Sequence, residues 1–182
     1  MRLSKILPYF LISTDIIISD QITKTYIVNS LVESESRSVL GDLIQFRLVY
    51  NLGGAMGTSF GPSWLYTILT VIALVFIVHY FIRTRSENKI AHFSLSLIFG
   101  GAIGNLMDRI HYGKVVDFID IDFPDVSFLN LYRWYTFNIA DASITVGLII
   151  FAICILFRPE QNNSIQASPN INPSSPLSDD KQ

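Results

Sequence analysis

The chain has 182 residues, half of which are hydrophobic, and a formal net charge of −2 at pH 7. This length predicts one domain, and the small, scattered charge gives no signature of nucleic-acid binding. Cys154 is the single cysteine, which excludes an intrachain disulfide. The three histidines lack the spacing of a metal-binding motif, so we expect neither a metal nor another cofactor.

Four apolar runs are long enough to span a membrane, which takes about 20 mostly apolar residues. They lie at residues 6–26, 64–82, 90–106 and 137–157. We predict an all-α membrane domain over residues 1–158, built as a bundle of four helices. A tail rich in Asn, Ser and Pro follows at residues 159–182, and we expect it to be disordered and cytoplasmic.

The first run begins like a signal peptide, because Arg2 and Lys5 precede it. However, Asp15 interrupts its apolar core and no small-residue cleavage site follows, so we interpret it as an uncleaved helix. Asp20 and Lys24 are one turn apart and can form an intrahelical ion pair. The alternative is a lysine that extends toward the membrane surface beside a neutralising acid. Because the run carries two acids, part of its surface must face the bundle.

Basic residues near the helix ends predict the orientation, since the cytoplasmic side is enriched in Lys and Arg. In a four-span topology the clustered basic residues fall on one side, which we expect to be cytoplasmic together with both termini. The segments 27–63 and 107–136 are then outside. The basic residues that set this orientation are Arg2, Lys5, Arg83, Arg85, Lys89 and Arg158.

The first outer segment contains a strand-like stretch at residues 38–50, rich in β-branched and aromatic residues and interrupted by Gly41. We predict a short strand or hairpin there, lying on the membrane surface. Asn51 and Gly53 follow, in a glycine-rich stretch that indicates a tight turn. The Asn51 amide could bind a substrate backbone, and the alternative is a plain connecting loop.

The third apolar run contains three glycines, which favour close helix–helix contact. Gly101, Asn105 and Arg109 share one helical face at positions i, i+4 and i+8. An amide and a guanidinium would therefore point into the same interhelical space. A glycine packing seam alone does not explain this pattern.

Asp117 and Asp141 each lie beside an outer helix end. Ionisable groups at the edge of the hydrocarbon are costly and indicate function. Two carboxyls brought together can share one proton, which is the chemistry of aspartic proteases. Each aspartate also has a structural explanation. Asn138 could cap the fourth helix with Asp141 at its third position, and Asp117 could belong to a solvated acidic loop at residues 117–125.

Together these motifs resemble the bacterial lipoprotein signal peptidase (signal peptidase II) family over roughly residues 5–157. The resemblance depends on four ordered motifs at Asp20–Lys24, Asn51–Ala55, Gly100–Arg109 with Val116–Phe118, and Phe137–Asp141. It implies a four-transmembrane-helix bundle with a small extracytoplasmic β-cradle. It also implies a location in the bacterial cytoplasmic (inner) membrane, with the active site near the extracytoplasmic face.

The resemblance implies an intramembrane aspartic endopeptidase that cleaves prolipoproteins before their diacylglyceryl-modified cysteine. Asp117 and Asp141 match the catalytic positions. The positions that match the family's supporting residues are Asp20, Lys24, Asn51, Gly104, Asn105, Arg109, Asn138 and Ala140. We expect a monomer that contacts membrane lipid and binds no nucleic acid.

Two rival hypotheses come from other functional classes. A small transporter or channel could use intramembrane carboxylates as an ion path, but its polar residues should lie near the membrane midplane. Here they crowd one interface, apart from Asp15. A purely structural membrane subunit is the other rival, and it predicts no loss of chemistry on Asp-to-Asn substitution.

Overall fold

The computed structural model describes residues 3–53, 61–84, 88–122 and 133–157. The predicted tail, Arg2, Ala55, Arg85 and Arg158 lie outside these residues. The described chain forms four helices and three strands. In chain order they are α1 (Leu3–Ser30), β1 (Ser36–Leu40), β2 (Ile44–Asn51), α2 (Ser63–Arg83), α3 (Lys89–Tyr112), β3 (Val115–Ile121) and α4 (Ile139–Leu156).

All four predicted helices are present, and α1, α2 and α3 extend beyond their apolar runs. The third helix continues six residues beyond the predicted end at residue 106, to Tyr112. Gly113 then ends it in the left-handed conformation, at φ 71°, with its N–H bonded to the carbonyl of Arg109. The extension keeps Asp108 and Arg109 on the helix, so their side chains project at helical spacing from Asn105.

Three of the described helices are long and apolar enough to cross a membrane: α2, α3 and α4. In α3, 61% of an 18-residue apolar stretch is buried inside the protein, whereas only 6% of the corresponding stretch is buried in α2 and 11% in α4. The third helix is therefore the central one, and the others pack around it. The first helix does not qualify by apolar composition, because it carries several charges, including Asp15, Asp20 and Lys24.

Glycines on α3 allow neighbouring helices to approach closely. A Cβ on Gly100 would lie 2.9 Å from the carbonyl oxygen of Ser13 on α1. A Cβ on Gly101 would overlap the carbonyl oxygen of Ala140 and lie 2.8 Å from Cγ1 of Ile144, both on α4. The predicted glycine seam is thus a contact surface for two helices.

The strands form one small antiparallel sheet in the order β1-β2-β3. The first two form the hairpin predicted at residues 38–50, and Gly41 turns between them at φ 53°. The sheet packs against the end of α1 through a buried apolar cluster. Its members are Ile27, Leu31, Leu48, Val116 and Phe118.

The third strand corrects the interpretation of Asp117 as part of a solvated acidic loop, and residues 123–125 of that predicted loop lie outside the described residues. Asp117 and Asp120 lie in β3, each only 2% exposed. β3 pairs with β2, where Val49 is opposite Asp117 and Asn51 is opposite Val115. This pairing brings the Asn51 motif beside the first aspartate.

Substitution of Gly101 by Ala tests the close α3–α4 contact. The added methyl group overlaps Ala140, so we expect a loss of about 1–3 kcal/mol in the free energy of unfolding. Thermal unfolding of the purified protein measures the effect. Ala73→Leu on the exposed surface of α2 is the control, and it should change stability by no more than about 0.5 kcal/mol. Equal stability of Gly101→Ala and the wild type would contradict the packing described.

Candidate active site

Asp117 extends from β3 into a pocket of side-chain amides. Asn51 Nδ2 donates to its Oδ2 at 3.1 Å, and Asn138 Nδ2 donates to its Oδ1 at 2.7 Å. The Oδ1 of Asn51 accepts from the backbone N–H of Gly53 at 2.9 Å, so the turn after β2 fixes this amide. Each carboxyl oxygen of Asp117 therefore has one donor of fixed orientation.

Asp141 lies in the first turn of α4, on the other side of the same amides. Asn138 is the N-cap of the helix, and its Oδ1 accepts from the backbone N–H of Asp141 at 2.8 Å. Asn105 Nδ2 donates to the Asp141 Oδ1 at 2.7 Å. The predicted capping arrangement is thus present. It does not compete with a functional role, because Asn138 caps the helix and contacts Asp117 at the same time.

The two amides from different helices also contact each other. Asn138 Nδ2 is 3.1 Å from the Oδ1 of Asn105. The Asn138 side chain is fully buried and Asn105 is 5% exposed. The amide pair therefore connects the Asp117 carboxyl to the Asp141 carboxyl through a short network of hydrogen bonds.

Lys24 lies beneath this network and is 2% exposed. Its Nζ is 2.7 Å from Asp20, 2.8 Å from Asp108 and 3.0 Å from the Oδ1 of Asn105. An ammonium group has three donors, and each has an acceptor here. The ion pair predicted between Asp20 and Lys24 is present, but it is part of a larger buried cluster rather than an isolated surface pair.

Sequence reasoning did not select Asp108 or Gln21 as site residues. Asp108 Oδ2 accepts from the backbone N–H of Val116 at 3.0 Å, next to Asp117. Its Oδ1 accepts from Gln21 Nε2 at 2.9 Å. The available signal was helical spacing, because Asp108 follows Gly104 by four positions on the same face of α3.

The side chain of Asp20 holds the backbone at the start of α4. Its Oδ1 accepts from the N–H of Ala140 at 2.9 Å. A Cβ on Gly104 would lie 2.7 Å from the Asp20 Oδ2, so this position has no room for a larger residue. The structure therefore brings Gly104 and Ala140 to the same carboxylate.

Arg109 lies at the edge of the cluster and is only partly buried. Its Nη1 donates to the carbonyl oxygen of Asn105 at 3.4 Å. Its guanidinium lies near the carboxyls of Asp141, Asp108 and Asp117. All ten residues predicted for the site thus lie in or beside one polar cluster. Within the described ranges, no group of three His, Cys, Asp or Glu residues is arranged to hold a metal ion.

Residues 12–157 match the profile of the signal peptidase (SPase) II family. The chain belongs to this family. It is 35% identical to the lipoprotein signal peptidase of Desulforapulum autotrophicum, over 81% of this chain and 91% of that protein. It is 34% identical to the lipoprotein signal peptidase of Geobacillus kaustophilus, over 85% of this chain and 98% of that protein.

A solved structure also resembles this fold. It is described as a bacterial membrane enzyme structure determined by the in meso method at 2.3 Å resolution. The TM-score is 0.75 at 34% sequence identity, and the match covers 83% of this chain and 88% of that one. Fold and sequence therefore identify a membrane-bound peptidase of the signal peptidase II type.

In this member of the signal peptidase II family, Asp117 retains its proton to unusually high pH. Burial, and then the nearby Asp141 charge, raise the pKa of Asp117 from 3.8 to about 7. Hydrogen bonds from Asn51 and Asn138 lower this pKa and only partly offset the two effects. A protonated Asp117 can then persist close to neutral pH.

The raised pKa predicts how stability depends on pH. Between about pH 4 and pH 7 the folded protein binds a proton that the unfolded chain has lost, so the stability from Asp117 falls as pH rises through this window. We expect the Tm of Asp117→Asn to fall less than that of the wild type between pH 5 and pH 8. Calorimetry or a fluorescence thermal shift in detergent measures both.

Asp42→Asn, in the exposed hairpin turn, is the control for this pH effect and should retain the wild-type dependence. An identical change of Tm with pH in Asp117→Asn and the wild type would show that Asp117 does not titrate in this window.

Proposed function

We propose that this protein removes signal peptides from prolipoproteins by hydrolysing the peptide bond before the lipid-modified cysteine. Asp117 and Asp141 are the catalytic pair. The observation that carries this proposal is the amide pair Asn105–Asn138, which joins the two carboxyls from different elements in one buried cluster. Relatives that cover most of this chain are named lipoprotein signal peptidases. The grouping of polar side chains at one end of the bundle argues against the transporter hypothesis.

The reaction needs no covalent intermediate. The ionised Asp141 removes a proton from water, and the oxygen of that water attacks the scissile carbonyl carbon. The protonated Asp117 donates its proton to the carbonyl oxygen as the tetrahedral species forms. When the tetrahedral species collapses, its C–N bond breaks and the leaving amine takes the proton held by Asp141. Asp117 regains its proton from the hydroxyl group that formed on the carbonyl oxygen. Both aspartates end in their starting states.

The supporting residues hold this pair and the substrate. Asn105 fixes the Asp141 carboxylate, and Asn51 fixes Asp117 from the sheet side. Arg109 is partly exposed beside the cluster, and its guanidinium binds a carbonyl group of the substrate backbone. The buried ion pair of α1 fixes the positions of these side chains and does not contact the substrate.

The domain, residues 1–158, spans the bacterial cytoplasmic membrane four times, with α1 as the additional span. Exposed aromatic side chains at the outer ends of all four helices support this arrangement, because Trp and Tyr collect at the membrane–water interface. They are Tyr26, Trp64, Tyr112, Trp134 and Tyr135. The sheet is then an extracytoplasmic cradle, the active site is near the outer face, and both termini, with the tail 159–182, are cytoplasmic.

A single chain is the catalytic unit. The contacts to Asp117 and Asp141 come from β2, α3 and the N-cap of α4, so one chain supplies both carboxyls and the amides that hold them. The exposed surfaces of α2 and α4 are apolar, as Val75, Phe76 and Leu148 show, and they contact membrane lipid.

Conservative substitution of either aspartate tests the catalytic pair. We expect Asp117→Asn and Asp141→Asn each to reduce cleavage by about 10³-fold or more, because the amide can neither accept nor supply the required proton. Purified enzyme incubated with a lipid-modified precursor peptide measures release of the signal fragment. Asp42→Asn is the matched control and should cleave normally. Substantial cleavage by either site variant would exclude the pair as the catalytic machinery.

Cysteine labelling tests the topology. In a Cys154→Ser background, Ser36→Cys in β1 should react with a membrane-impermeant maleimide added to intact spheroplasts. Thr84→Cys, between α2 and α3, should react only after the membrane is opened, because that connection is cytoplasmic. Equal reaction at both positions in intact cells would contradict the four-span arrangement.

A further inference from the structure

Asp15 is an intramembrane acid that the catalytic site does not use. It lies near the middle of the 28-residue helix α1 and is exposed. Leu11, Ile18 and Ile22 lie on the same side of the helix and are exposed as well. Asp15 thus interrupts an apolar surface that faces away from the bundle.

The protein itself does not neutralise this carboxyl within the described residues, where Asp15 has no hydrogen-bond or ionic partner. Lys24 is already bound by three acceptors in the buried cluster. Asp20, which belongs to that cluster, lies about 140° around the helix from Asp15. Lys5 is about 15 Å away along the axis.

The depth of Asp15 makes an unpaired carboxyl costly. It is about 18 Å along the helix from Leu3, at about 1.5 Å per residue. In the proposed four-span topology, on which this inference rests, that position is within the hydrocarbon. Ionisable side chains at such a depth are expensive to insert, and they usually pair with an opposite charge.

A small polar residue lies beside Asp15 on the same side of α1. Ser19 follows Asp15 by four positions, so the two side chains are neighbours on the helix surface. Ser19 is partly exposed, and its hydroxyl has no hydrogen bond to another described residue. The hydroxyls of Thr14 and Thr23 on the same helix, by contrast, donate to backbone carbonyls four positions earlier.

The position of Ser19 is suited to contact with another membrane helix. A small side chain allows a second backbone to approach, and a hydroxyl supplies an interhelical hydrogen bond. The free hydroxyl of Ser19 and the unpaired carboxyl of Asp15 therefore offer two polar groups, one helical turn apart, on a surface that is otherwise apolar.

We infer that Asp15 and Ser19, which we call the polar face of α1, dock a membrane-spanning helix of a partner protein with a lysine or arginine at middle depth. Charge complementarity supports this partner, because a basic side chain neutralises Asp15 and can donate a further hydrogen bond to the Ser19 hydroxyl. A parallel second copy would place Asp15 against Asp15 and leave two like charges together. A basic partner is therefore favoured over self-association.

Energy transfer in phosphatidylethanolamine/phosphatidylglycerol vesicles tests this inference. The donor is the full-length enzyme labelled at Ser36→Cys in the Cys154→Ser background. The acceptor is a synthetic leucine-rich membrane helix with one central lysine. We expect this helix to bind the wild type on the order of tenfold more tightly than it binds Asp15→Leu. The same helix with a central leucine should bind both proteins equally weakly.

Several controls separate this inference from the catalytic proposal. Asp15→Leu should cleave the precursor peptide normally, whereas Asp117→Asn should lose cleavage and still bind the lysine helix. Equal binding of the lysine helix to the wild type and Asp15→Leu would overturn the inference. Energy transfer between copies of the enzyme that is lost in Asp15→Leu, with no binding of the lysine helix, would assign the face to a second copy and also overturn it.

Discussion

The candidate active site depends on the contacts of the buried Lys24 ammonium group. Asp20 and Asp108 neutralise it, and Asn105 accepts its third donor. A buried charge of this kind is tolerated only when it is paired and fully hydrogen-bonded, and loss of one partner leaves an uncompensated charge. Each acceptor also holds part of the site. Asp20 accepts a hydrogen bond from the N–H of Ala140, which precedes Asp141. Asp108 accepts one from the N–H of Val116, which precedes Asp117. Asn105 donates a hydrogen bond to the Asp141 carboxyl.

This arrangement explains why α3 is the central helix and why it is rich in glycine. The cluster joins α1, α3, α4 and β3, and it closes only if the helix backbones approach within the space of a missing Cβ. Gly101 allows the approach of α4, and Gly104 leaves room for the Asp20 carboxylate. Because the glycines and the charged residues lie on one face of α3, the packing and the polar network constrain each other.

The site holds Asp117 in surroundings that cost stability. Burial and the neighbouring Asp141 keep the pKa of Asp117 at about 7, so ionisation of this carboxyl in the folded protein is unfavourable below about pH 7. A carboxyl that keeps its proton near the working pH is suited to acid catalysis. In the proposed mechanism, stability and activity therefore oppose each other at this residue, as they often do in active sites. Asp15 differs, because it is exposed on α1 and lies outside this cluster.

The sequence alone determined the four helices, the β1–β2 hairpin, the Asn138 cap and ten of the candidate site residues, because apolar length, turn residues, capping and ordered motifs are local properties. It did not reveal β3. That strand is buried on both faces, so it lacks the alternation of a surface strand, and its acids resemble a loop. The roles of Asp108 and Asn105, which join elements far apart in sequence, also needed the tertiary structure. The difference between buried Asp20 and exposed Asp15 also needed the tertiary structure, because the rotation of α1 against α3 decides which acid faces the bundle.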